Sequence, residues 1–116
     1  TVARQTLVLQ AAYRISPKRE YRETSLDALG YLFGRNPFGR SFVTGLGVNP
    51  PQHPHDRRSA ADQIAEPWPG YLVGGPNPRA TDWHDEQDDF RTNEIAINWN
   101  GSLIYALAGF LENVSR

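Results

Sequence analysis

The stretch that decides the fold is Asn93–Val114, NEIAINWNGSLIYALAGFLENV, close to the C-terminus. Ile95, Trp99, Leu103, Ala106, Leu107 and Phe110 recur at three- and four-residue steps, the period of one helix face, and Thr92 stands where an N-cap would. This predicts a helix over Asn93–Val114. Upstream, Val2–Ile15 (VARQTLVLQAAYRI) has no glycine or proline and lines up Val2, Leu9 and Tyr13, so a helix is predicted there as well. Ser16-Pro17 ends it. A second helix is expected over Arg19–Phe33, where Leu26, Leu29, Leu32 and Phe33 share a face and Gly34 offers a permissive C-terminal cap. The first two helices should form a hairpin.

Between Gly34 and Phe90 lie eight of the nine prolines and seven of the ten glycines, with no sustained helical or strand period. SFVTGLG (41–47) and GYLVGG (70–75) each have the character of one short strand, too short to organise a sheet. The expected class is all-α: about three helices plus a long ordered Gly/Pro-rich loop region with little strand. So long a loop in a compact domain usually carries function. Three helices alone leave apolar stripes without an opposing surface, so the chain reads as part of something larger, prone to self-association when isolated.

Composition narrows the function classes. The 116 residues carry 12 Lys+Arg against 13 Asp+Glu, net charge −1, which supplies no field to gather phosphates, so nucleic acid is not an expected partner. No apolar run approaches the roughly 20 residues needed to cross a bilayer, so no membrane partner is expected either. Cysteine is absent, which removes disulfides and thiolate nucleophiles. Methionine is absent too, and the chain is expected to begin inside a longer gene product.

Two segments could carry chemistry. In TDWHDEQDDFRTNE (81–94), six of the thirteen carboxylates crowd together: Asp82, Asp85, Glu86, Asp88, Asp89 and Glu94. Most fit a solvated loop. Glu94 adjoins Ile95, Ala96 and Ile97, an environment able to desolvate a carboxyl and make it a general acid; equally, it could simply favour the positive end of the helix dipole. In PPQHPHDRR (50–58), His53, His55, Asp56 and Arg57 suggest either metal ligands, with His84 as a third histidine, or donors aimed at ligand hydroxyls. The zinc spacing is weak, and neither an EF-hand nor a dinucleotide fingerprint is present. No Gly-x-Ser-x-Gly elbow occurs. Trp68, Tyr71, Trp83, Phe90 and Trp99 offer either flat faces for sugar rings or ordinary packing.

Taken together, LGYLFGRNPFGRSFVTGLGVNPPQHPHDR, PWPGYLVGGPN and TNEIAINWNGSLIYALAGF resemble the C-terminal part of glycoside hydrolase family 9, the inverting cellulases. Pro54-His55-Asp56-Arg57 reads as the His-x-Arg signature. Trp83-x-Asp85, Phe90, Glu94, Ala96 and Asn100 read as the second signature, with Gly101 departing where the family has Ser, Thr or Ala. The resemblance implies a fragment of an (α/α)6 toroid whose cleft is built from loops at one end, with residues 1–116 as the C-terminal portion of an incomplete catalytic domain. It implies Glu94 as the general acid, Asp85 and His55 as active-site residues, and Arg57 and Trp99 as sugar contacts. The substrate would be a β-1,4-linked polysaccharide or oligosaccharide, the partner the remainder of the same domain, and the location secreted or periplasmic. No cofactor is expected, a structural calcium in the parent protein being the one metal the resemblance leaves room for. Inversion needs a second carboxylate about 6.5–9.5 Å from the acid. In the family that base comes from an Asp-Ala-Gly-Asp-like motif, which this chain lacks. The alternatives are a non-catalytic carbohydrate-binding fragment and, ranked last, a metal-dependent hydrolase using His53, His55 and His84.

Overall fold

The structure is a computed structural model that describes residues 1–111. Its elements are α1 (Val2–Ile15), α2 (Arg19–Leu32), a short α3 (Arg57–Ala61) and α4 (Ile97–Leu111). α1 and α2 begin at the residues expected, because alanine, leucine, glutamate and arginine favour helix locally and Pro17 forces the break between them. At the end of α2, Phe33 donates to Leu29 C=O and Arg35 N–H to Gly30 C=O, while Gly34 takes the positive φ of +128° that a C-terminal glycine permits.

α1 packs against both α2 and α4. The buried residues of α1 are Ala3, Thr6 and Gln10, small or polar rather than the expected Val2, Leu9 and Tyr13 stripe. The close approach to α4 explains the difference. Gln10 donates from its amide to Ala106 C=O at 2.5 Å, and a Cβ on Gly109 would collide with the Gln10 amide. Gly109 leaves the room on α4 that the Gln10 side chain fills. From α2 come Leu29 and Leu32, from α4 Leu103 and Ala106, whereas Leu26 stays 55% exposed.

α4 starts at Ile97, four residues later than the apolar period suggested, and its expected end at Val114 lies outside the described residues. Residues 93–95 are instead drawn into extended pairing with other segments, His55 with Glu94 in parallel and Val73 with Ile95 in antiparallel sense. Thr92 is therefore not the N-cap. Its hydroxyl donates to Asp89 Oδ2 at 2.6 Å.

The loop region carries its own core. Phe42, Val43, Leu72, Val73 and Trp83 are all buried. Trp83 stacks edge-on against Phe42 and Phe38 at centroid distances of 5.1 and 5.6 Å, and Tyr31 of α2 meets Phe42 at 5.7 Å. These aromatic contacts bury large apolar area without regular elements. The two strand-like segments meet through one bridge, Val43 with Leu72, and no strand ladder forms among the described residues. Mostly helical, with loops at one end, the chain has the architecture expected of part of an (α/α)6 toroid.

Candidate active site

Four loop segments lie side by side, held by single bridges: 53–55 beside 93–95, then 72–74, then 42–44. Backbone bonds tie them together, with His55 N–H donating to Asn93 C=O at 2.8 Å, Gly74 N–H to Glu94 C=O at 3.0 Å and Val73 N–H to Phe42 C=O at 3.0 Å. The two signature loops are thus neighbours although 39 positions separate His55 from Glu94. Bridge partners project to one face, and the extended backbone at Asp56 (φ −141°, ψ 122°) leads from His55 into α3 at Arg57. Glu94 and His55 therefore share a face, and Arg57 follows His55 by two residues.

Glu94 is exposed among the described residues, and the first turn of α4 contains no acidic residue. Neither the apolar pocket nor the helix-dipole environment expected from its neighbours surrounds it within this chain. The His55 ring is held on two sides. Its Nδ1 lies 2.5 Å from Gln87 C=O, which only accepts, so Nδ1 carries the hydrogen. The Phe90 ring meets the imidazole at 6.3 Å. Nε2 is left with a lone pair in the neutral ring and can accept from a hydroxyl. Arg57 is exposed at the first position of α3, which Asp56 caps by accepting from the Ser59 N–H at 3.2 Å and hydroxyl at 2.9 Å. Burial works to raise the Asp56 carboxyl, but the two Ser59 hydrogen bonds and the Arg58 charge outweigh it and leave it lowered. The sequence reading missed α3, although Asp56 ahead of the helix-favouring RRSAA is a capping signal.

Asp85 serves as an anchor. Its Oδ2 accepts from Arg40 Nη2 and Gln52 N–H, and its Oδ1 from His53 N–H, all at 2.9 Å. Burial acts to raise its pKa; the N–H bonds of Gln52 and His53 together with the Arg40 guanidinium overcome that and lower it. Arg40 also lies over the Trp83 ring, 5.2 Å from its centroid. No local signal in the sequence joins Arg40 to a carboxylate 45 positions away. Asn93, also missed, is wholly buried next to Glu94. Trp99, half-buried on α4, leans on Gly74, where a Cβ would come within 3.1 Å of the indole. Asn100 accepts from Leu72 N–H at 2.8 Å and so fastens the 70s loop to α4.

Of the other aromatic residues, Trp83 is core, while Trp68 and Phe90 are 47% and 61% exposed. His53 and His84 do not join His55: among the described residues no three His, Cys, Asp or Glu side chains gather as a metal donor set.

The chain is similar in sequence and fold to several known proteins. Endoglucanase D of Acetivibrio thermocellus is 64% identical over 111 residues, covering 96% of this chain and 18% of that protein. A solved family 9 glycoside hydrolase structure from Bacteroides ovatus superposes with a TM-score of 0.89 at 40% identity, covering 94% of this chain and 20% of the other. Endoglucanase CelQ from Clostridium thermocellum, solved in complex with cellotriose, superposes with a TM-score of 0.79 at 27% identity, covering 98% of this chain and 22% of the other. The chain spans about a fifth of the length of the relatives it matches. Residues 1–107 match the profile of glycosyl hydrolase family 9, and the chain belongs to that family.

Proposed function

We propose that the chain supplies the acid-bearing part of an inverting glycoside hydrolase that cleaves β-1,4-glucosidic bonds of cellulose or related β-glucans. The observation that carries this reading is the pairing of Glu94 with His55, two residues ahead of Arg57. In this reading Glu94 donates its proton to the glycosidic oxygen as the bond to the anomeric carbon breaks. His55 Nε2 and the Arg57 guanidinium hold sugar hydroxyls, and the Trp99 ring lies against a sugar face. A water attacks from the opposite side of the sugar and loses its proton to a carboxylate outside this chain. Asp85, saturated by donors from its own loops, acts by holding the His53–Arg57 segment in place. The CelQ complex with cellotriose supports β-1,4-linked oligosaccharides as the ligand class. The substrate of the whole protein and its secreted or periplasmic location belong to the same proposal, as does docking against the remainder of the catalytic domain.

The test is Glu94→Gln in the full-length catalytic domain. Turnover of a soluble β-1,4-glucan should fall by roughly 10²- to 10⁴-fold with oligosaccharide affinity nearly unchanged. Undiminished turnover removes Glu94 from the acid role. Calorimetry of the 116 residues against cello-oligosaccharides tests the non-catalytic carbohydrate-binding alternative, and absent binding counts against it.

A further inference from the structure

Asn93 has no exposed surface, and every hydrogen-bonding group it owns is engaged. Its side-chain amide donates to His53 C=O at 2.7 Å, to Glu86 C=O at 3.3 Å and to Asp85 Oδ1 at 3.4 Å. Its side-chain oxygen accepts from the Trp83 indole N–H at 3.2 Å. Its backbone N–H reaches Asp89 C=O at 2.9 Å, and its C=O takes the His55 N–H at 2.8 Å. One residue thus touches the His53–His55 loop, the Asp85–Asp89 turn and the aromatic core, and it is bonded directly to Glu94. Buried amides that meet all their partners specify one geometry, because any displacement leaves several polar groups unpaired.

We propose that Asn93 is the positioning residue that sets the acid Glu94 in register with His55, with the Asp85 carboxylate as the fixed point it is measured against. The inference rests on the reading of Glu94 as the acid, since it assigns how that group is held. It also makes the amide, and not merely its shape, the required chemistry. Three of its contacts are acceptors facing the amide nitrogen, so an isosteric carboxylate would face two carbonyls and a carboxylate. Like charges that close favour sharing one proton, which raises the titration of the pair.

The test is Asn93→Asp in the full-length catalytic domain, with Glu94→Gln in parallel, reading kcat and KM for a cello-oligosaccharide across pH together with thermal unfolding. Relative to the parent, kcat of Asn93→Asp should fall roughly 10- to 100-fold at neutral pH, with KM within about threefold, and the deficit should shrink as acid restores one proton to the pair. A kcat–pH profile superimposable on the parent's overturns the proposal, and so does a loss in folded protein that is equal at every pH. Should this variant not fold, the neutral Asn93→Ser is read instead: kcat lowered about tenfold with KM little moved supports the proposal, and unchanged kcat overturns it. An active Glu94→Gln removes the underlying acid reading. An inactive Glu94→Gln beside a parent-like Asn93→Asp removes only the positioning role.

Discussion

The acidic segment 81–94 divides at the level of single residues. Charge crowding alone does not distinguish Asp85 from Asp88, yet one is an anchor filled by Arg40, Gln52 and His53 and the other lies exposed. The anchor has a pH consequence. Its pKa is lowered in the folded chain, so its contribution to stability is complete above the unfolded carboxylate value near 3.9 and is lost as pH falls through the lower folded value. Asp85→Asn, which turns an amide toward donors that need an acceptor, should cost about 1.5–3 kcal/mol at neutral pH. The gap to the parent should narrow below about pH 4, where the carboxyl of the parent's unfolded chain begins to take up a proton. Thermal unfolding of the two proteins at pH 7 and pH 3 checks this; a gap that is constant with pH contradicts it. Glu94, His55 and Arg57 stand out as candidates in the sequence because the signature spacing names them. Asn93 and Arg40 were not, since their value comes from partners brought near only by folding.

Secondary-structure elements show the same division between local and distant causes. α1 and α2 were readable to within a residue, because propensity and Pro17 act over a few positions. The start of α4 was not: its apolar period continues back through Ile95, but pairing of residues 94 and 95 with the 55 and 73 positions wins over helix extension, aided by the β-branched Ile95. α3 was missed because five residues carry too short a pattern. Gly101, the departure from the family signature, sits inside α4 where an added Cβ would meet nothing within 4 Å. Gly101→Ala should therefore stabilise the full-length domain by about 0.5–1 kcal/mol, the helix-propensity difference, without altering KM. Chemical denaturation measures it, and a loss of stability would show that another part of the domain occupies that space.

Across the whole molecule, the helices form an incomplete layer. Val8, Ile15, Ile97, Ile104 and Leu111 each stay at least 65% exposed, more apolar helix surface than three helices can cover for one another. The loop end is different: its aromatic core and its hydrogen bonds hold the signature residues together within this one chain. Toroid membership was legible from motifs, whereas the loop core built on Phe42 and Trp83 was not, because it follows no period. Chemistry by Glu94 depends on how much the departing group needs a proton, so the most direct measurement varies the leaving group in the full-length domain. Glu94→Ala is predicted to lose roughly 10²- to 10⁴-fold in kcat on cello-oligosaccharides but far less on a dinitrophenyl cellobioside, whose phenolate leaves without protonation. An equal loss on both substrates would contradict a proton-donating role for Glu94.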